Sequence, residues 1–215
     1  MDTINKIGKG FVASVYKVES NGSTFALKEF SPSWVAKLAY WLAYRSRHVY
    51  STERGVKEAF YRRRIASRLS KLWDEHNYIV DAVAMHNDNG FLCQYTRGVP
   101  VSRGELDRAL AFADRLKENL RGVGLPTASL EGLSSKRSIV KFDKIMELRN
   151  VIVDEEGFFK VIDFESGIPR IKGVGFVLDD TDLEKLENYV IGLGNEDLRQ
   201  ELELLKRCIN AAEVS

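Results

Sequence analysis

Cysteine and histidine are scarce in this 215-residue chain: there are two of the first, Cys93 and Cys208, and three of the second, His48, His76 and His86. Two cysteines make no disulfide framework, and their spacing fits no zinc pattern. Histidines scattered this widely argue against a metal site built on imidazole. Cys93 lies in an apolar run and reads as a buried thiol. Long apolar runs are missing too. None approaches the ~18 residues of a membrane span, and the opening MDTINKIGKG lacks the apolar core of a signal peptide. A reducing cytoplasm is therefore the expected compartment. Net charge is nearly absent as well, +1 in formal terms, so no global field draws the chain to nucleic acid. There is no internal repeat, no low-complexity segment and no linker.

The chain has the 44% apolar and 29% charged content of a globular protein with a real core. Its length suits one domain or two small lobes. Its charge is unevenly placed. From Trp34 to Glu75 there are ten Lys and Arg against four acids; from Asp143 to the end there are nine against seventeen. A basic front and an acidic back suggest that anions are handled in front.

Residues 4–30 read as strands. FVASVYKVES alternates, the Asn21-Gly22 pair is a strong hairpin turn, and STFALKEF returns. A helix is expected next, with Ser31 as its cap and Pro32 in its first turn. Trp34, Leu38, Trp41, Leu42 and Arg45 recur in it at helical spacing. A second helix is expected from about Glu53 to Trp73, and two strands, YIVDAVAMH and GFLCQYT, follow it. A Ser102-x-x-Glu105 capping box should open a third helix that ends at RGVGLP. NVIVD and FFKVIDF pair around EEG, and the tail from Asp182 to Ala212 reads as two helices split by GLGN. This order is α+β, with an antiparallel front sheet and a mostly helical back.

Two local patterns carry chemistry. The first is Gly8-x-Gly10-x-x-Ala13-x-Val15. Glycines between two strands let backbone N–H groups approach phosphate oxygens with no side chain in the way. Alone the pattern also fits a plain turn or a dinucleotide fingerprint, but the fingerprint needs a helix straight after the glycines. Here a strand is expected, and it leads to Lys28 in FALKEF. A lysine on a strand beneath a glycine loop is suited to α- and β-phosphates; the bland alternative is an edge lysine facing solvent. The second pattern is Asp163 in FFKVIDFESG, an acid at a strand end beside a turn.

Taken in order, these residues resemble the protein-kinase-like fold over roughly residues 4–190, and so imply a bilobal architecture with an N-lobe of about residues 1–97 and a reduced, mostly helical C-lobe of about 98–215. The resemblance implies ATP and Mg2+ as cofactors. Gly8, Gly10, Ala13 and Val15 would form the phosphate-covering loop, and Lys28 would pair with the phosphates. Glu58 would orient Lys28, with Glu53 as the runner-up. FLCQYTRG resembles the hinge: Cys93 would stand at its gatekeeper position, and the backbone of Gln94 and Thr96 would meet the adenine edge. Asn150 resembles the catalytic-loop asparagine and Asp163 the metal-binding aspartate, thirteen residues apart across a hairpin. Asn and Asp oxygens at adjacent strand ends are what octahedral magnesium bridging phosphates needs.

The departures are as informative. The family's catalytic aspartate stands five residues before the asparagine, where this chain has Ile145, a side chain that cannot accept a proton. Asp143 and Glu147 are the candidate bases, in that order. The run Asp163-Phe164-Glu165 is similar to the small-molecule branch of choline and aminoglycoside kinases. The whole resembles compact, atypical kinases of bacteria and archaea, including lipopolysaccharide-core and RIO-type kinases. The expected activity is ATP- and Mg2+-dependent phosphoryl transfer to a small-molecule, sugar or lipid-headgroup hydroxyl, or to protein Ser or Thr. The alternative is a nucleotide-binding pseudokinase acting as regulator or scaffold. The basic, aromatic segment 34–50 has two readings, a peripheral membrane contact at the inner face or a helix packed on the lobe. Arg62, Arg63, Arg64 and Arg68 in YRRRIASRLSK are expected on a solvated outer face, with nucleic acid not expected as a partner.

Overall fold

The computed structural model describes residues 3–9, 12–45, 47–127, 130, 150–164, 169–172, 175–178 and 181–210. It is an α+β protein whose main sheet is wholly antiparallel. By contact the chain divides into two compact units: Met1–Arg64, Asp81–Tyr95 and Gln200–Ser215 in the first, Ile65–Val80 and Thr96–Arg199 in the second.

The first unit is built on five strands, β1 (Thr3–Lys9), β2 (Ala13–Ser20), β3 (Ser23–Phe30), β4 (Ala82–Met85) and β5 (Gly90–Gln94), in the order β1-β2-β3-β5-β4. The turn between β2 and β3 is the expected one. Asn21 and Gly22 both take positive φ, 52° and 74°, a backbone twist that joins two antiparallel strands without splaying them. Because β2 begins at Ala13, directly after the glycine segment, no helix follows those glycines and the dinucleotide alternative is excluded.

Helix α1 (Trp34–Tyr44) starts two residues later than Ser31 suggests. Ser33 is the cap: its extended backbone turns the side chain onto the Ala36 N–H at 3.2 Å. The Ser31 N–H instead donates to the Val12 carbonyl at 2.9 Å. Arg45, in the left-handed conformation, ends the helix. A single 3-10 turn at Val49–Ser51 leads into α2 (Glu53–Trp73), which has the expected limits. One face of the sheet, carrying Lys28, Phe30 and Phe91, packs against α2. The Phe60 ring meets Phe91 edge-on at 5.7 Å, and Phe30 lies 5.6 Å from Phe91.

In the second unit, β6 (Gly98–Pro100), β7 (Val151–Asp154) and β8 (Phe159–Val161) form a three-stranded antiparallel sheet in that order. The β7–β8 pair is the expected hairpin around EEG; β6 is an addition, in a stretch that reads as loop. Val161 also takes a parallel bridge from Ile79, through Val80 N–H to Val161 O at 3.0 Å and Val161 N–H to Tyr78 O at 2.7 Å. The Ser102–Glu105 capping box is present, but it closes on a 3-10 turn, and α3 (Leu106–Gly122) begins one residue after it. Ala109, Phe112, Ala113, Leu116 and Leu120 make the buried stripe of α3. Strands β9 (Pro169–Lys172) and β10 (Gly175–Leu178) form a separate pair. The tail holds α4 (Leu183–Leu193), capped by Asp182 and ended by left-handed Gly194, and α5 (Glu196–Asn210). Among the described residues no helix is long and apolar enough to cross a membrane.

Candidate active site

Lys28 lies on β3, the middle strand of five, and is 6% exposed, so the reading of an edge lysine facing solvent is excluded. The register sets it in a row across four strands: Gly8 opposes Val15, Val15 opposes Lys28, and Lys28 opposes Phe91. Directly opposed residues share a face of the sheet, so Val15 stands beside Lys28, and next to Val15 the row ends at a residue without a side chain. Strand β1 is irregular between Lys6 and Gly8, which bends this end of the sheet. Ala13, buried, opens β2 opposite Phe30. The Lys28 ammonium sits 5.4 Å from the centre of the Phe30 ring. The row is tight at its far side as well. A Cβ on Gly90 would come within 2.6 Å of the Lys28 carbonyl oxygen, so glycine at this position lets β5 close on β3 beside the lysine.

On α2, Glu58 is buried and Glu53 is not, and the two acids have different partners. Glu53 pairs with Lys57 on the exposed first turn. The Glu58 carboxylate takes Arg54 Nε at 3.0 Å through Oε1 and Arg62 Nη1 at 3.3 Å through Oε2. Residues 54, 58 and 62 are one turn apart, so both guanidinium groups close on a single carboxylate. Arg54 also donates to the Ile209 carbonyl of α5 at 2.6 Å. Burial raises the Cys208 thiol pKa, and the Glu58 charge acts in the same direction.

The expected solvated face of YRRRIASRLSK is overturned. Arg62 and Arg63 rank among the most completely buried side chains of the protein. A guanidinium leaves water at least cost when its charge and its donors find partners, and both of these arginines have partners. Arg62 has Glu58. Arg63 donates to Cys93 Sγ at 3.0 Å and lies over the Phe91 ring at 5.7 Å. Arg64 pairs with the buried Glu201 of α5 at 2.7 Å and lies over the Phe60 ring at 5.5 Å. Arg68 pairs with Asp197 at 3.3 Å. The Arg54-Glu58-Arg62 spacing was a legible signal for part of this network. Cys93 and Glu201, distant in sequence, were not. Cys93 is the buried thiol that its apolar run suggests.

Gln94 ends β5 opposite Phe25, and its N–H donates to the Asp81 carbonyl at 2.9 Å. Thr96 is half-buried in the coil before β6.

In the second unit the β7–β8 hairpin brings Asn150 and Asp163 to one end. Val151 opposes Val161, and one step on the Ile162 N–H donates to the Asn150 carbonyl at 2.8 Å, so Asp163 is the next residue along the chain. Asp163 is half-buried, between exposed Ile162 and fully buried Phe164, which anchors the segment. Among the described residues no three His, Cys, Asp or Glu side chains gather as a metal site. Magnesium does not need such a cage. It is bound by one or two protein oxygens together with waters and phosphate oxygens, and an amide and a carboxylate at one hairpin end are a donor set of that kind. Gly10, Asp143, Ile145, Glu147 and Glu165 lie outside the described residues. No protein-family model matches the chain, and no curated protein matches it significantly.

Proposed function

We propose that the chain is a compact kinase-type phosphotransferase of the protein-kinase-like fold, using ATP and Mg2+ to phosphorylate a hydroxyl of a small molecule, sugar or lipid headgroup, or of protein Ser or Thr. The observation that carries this reading is the setting of Lys28, a buried cation on the middle strand, in one row with Val15 and Gly8, on the face where α2 carries a buried glutamate. A turn or a packing lysine would need no such alignment.

Lys28 neutralises the α- and β-phosphates, and Glu58, itself held by Arg54 and Arg62, fixes where the ammonium stands. The backbone of residues 8–13 covers the phosphates. The Gln94 carbonyl and the Thr96 N–H meet the adenine edge. Asn150 and Asp163 would hold Mg2+, which would supply positive charge to offset that of the phosphates. Asp143, with Glu147 second, takes the acceptor proton. Catalysis of this kind is mainly positioning and charge stabilisation, and the loose transition state of phosphoryl transfer demands little of a base. A second reading, a nucleotide-binding pseudokinase, draws its support from Ile145 in the position of the family's catalytic aspartate.

Thermal denaturation with and without Mg-ATP, followed by an ATP-turnover assay on the same sample, tests both. A ligand at one hundred times its Kd should stabilise by about 2.7 kcal/mol. Lys28→Ala should remove most of the gain. Asp163→Asn should remove its magnesium-dependent part and spare some metal-free nucleotide binding. Stabilisation with turnover supports the enzyme, and stabilisation without turnover on any acceptor supports the pseudokinase. Unchanged shifts in both variants, or no shift in the wild type, would refute the site.

A further inference from the structure

Helix α1 presents its apolar side outward. Trp34 is 74% exposed and Leu42 55%, and Val35, Leu38 and Trp41 are exposed with them. At 100° per residue these five span about a third of the helix circumference as one continuous stripe. Ala36 and Tyr40 turn the other way and are buried, the Tyr40 ring 4.8 Å from His48, so the helix is fixed to its unit by its narrow side. Helix α3 does the opposite and buries its apolar stripe. The exposed stripe of α1 has a cationic border. Lys37 and Arg45 lie on and beside the helix, with the Arg45 guanidinium 4.9 Å from the centre of the Trp41 ring, and Arg47 follows. No Asp or Glu stands between Ser31 and Thr52.

We propose that α1 is a membrane-surface helix that seats Trp34, Leu38, Trp41 and Leu42 in the headgroup region of an anionic bilayer, with Lys37, Arg45 and Arg47 on the lipid phosphates. Eleven residues make a helix of about 16 Å, far short of the ~30 Å hydrocarbon core, so it lies in the interface and does not span it. Tryptophan prefers that depth. Charge complementarity selects the occupant. A second copy of the chain would bring three cations against three in a self-complementary contact, whereas anionic lipid answers all of them. The inference is independent of the nucleotide reading, and its test contains no nucleotide.

The test is co-sedimentation of the full chain with phosphatidylcholine vesicles, with and without phosphatidylglycerol, together with tryptophan emission and analytical ultracentrifugation. The wild type should bind the phosphatidylglycerol vesicles with a blue-shifted emission and leave the neutral vesicles largely unbound. Trp34→Ser and Leu38→Glu should each weaken binding by about tenfold or more, and Lys37→Gln by about fivefold. All three variants should keep the wild-type melting temperature, since the side chains are exposed. Leu72→Glu, an exposed leucine on α2, should bind as the wild type does. A wild type that stays in the supernatant overturns the proposal. So does binding that Trp34→Ser and Leu38→Glu leave unchanged, or a dimer that those changes dissolve, which would make the stripe an interface between copies.

Discussion

Burial of the His48 imidazole among the rings of Tyr40 and Tyr50, at 4.8 and 5.6 Å, holds its pKa down to about 4, and the charge of Lys37 acts in the same direction. Its Nδ1 accepts the Tyr50 N–H at 3.3 Å, a bond that requires this nitrogen to be unprotonated. The folded state therefore holds the neutral form, while an unfolded histidine titrates near 6.5. Between those values the unfolded chain binds the extra proton, so stability falls as pH drops from about 6.5 towards 4, by a total on the order of 3 kcal/mol. Asp74 and Glu105, whose carboxyl pKa values are lowered by hydrogen bonds from Tyr78 and Ser102, lose their contribution only at lower pH, so the first loss on acidification belongs to His48. Chemical denaturation at pH 7 and pH 5 should show this loss in the wild type and a smaller one in His48→Asn, which keeps an acceptor and cannot charge; equal losses would remove His48 from the account. At the same scale, Asp143→Asn should lower kcat by roughly 10²-fold or more with nucleotide binding intact, and Glu147→Gln by less. If neither matters while Asp163→Asn is inactive, transfer runs without a side-chain base.

Helices α2 and α5 are joined by the ion pairs Arg64–Glu201 and Arg68–Asp197, of which Arg64–Glu201 is the more buried. Glu201 is buried, and Arg64 is about a quarter exposed, so part of its Coulomb energy is screened. Glu201→Ala should cost about 2 kcal/mol, because it strands a guanidinium beside the Phe60 ring. The double variant Arg64→Leu/Glu201→Leu should recover most of that loss, since an apolar pair needs no charge compensation. Urea denaturation of the wild type and the two variants measures the difference, and a double variant less stable than Glu201→Ala would contradict the argument. This pair also marks where sequence reading stops. The limits of α2, the Asn21-Gly22 turn, the β7–β8 hairpin and the tail helices were all legible, because each is written in local periodicity and turn chemistry. The cap of α1 was misread because Ser31 and Ser33 are equally good capping residues, and only the pairing of Ser31 with Val12 decides between them. The burial of Arg62 and Arg63 was misread because four basic residues on one helix look solvated until Cys93, Phe91 and Glu58 are brought to them. Lys28, Asn150 and Asp163 were visible as candidates through strand ends and spacing, but the row that aligns Lys28 with Val15 and Gly8 depends on register, which a sequence states only indirectly.

The first unit is discontinuous in the chain, and that has a consequence for how the whole molecule acquires its stability. Its sheet takes β4 and β5 from Asp81–Tyr95, and the unit is completed by residues from Gln200 onward, more than a hundred positions after β5. Those last residues are not decoration. Leu202 and Leu205 are buried, Glu201 pairs with Arg64, and the Ile209 carbonyl accepts from Arg54, the same arginine that holds Glu58. Burying two leucines is worth about 3–6 kcal/mol, and the ion pair adds to that, against a total stability of roughly 5–15 kcal/mol for a domain. A chain ending at Arg199 should therefore lose most of the first unit's stability, although it still contains all five strands of the sheet and all of α1 and α2. Hydrogen exchange resolves the outcome by segment. Amides of β3 and β5, the central strands, should exchange near the unfolded rate in the shortened chain, and Arg54 should no longer fix Glu58, so any nucleotide-dependent stabilisation should go with them. Restoring residues 200–210 as a separate peptide at high concentration should return part of the protection, because the segment's contacts are side-chain burial and ion pairs that need no covalent link. If β3 and β5 keep their protection without this segment, α5 is a passenger on the first unit, and the stability must reside in the packing of α2 on the sheet alone.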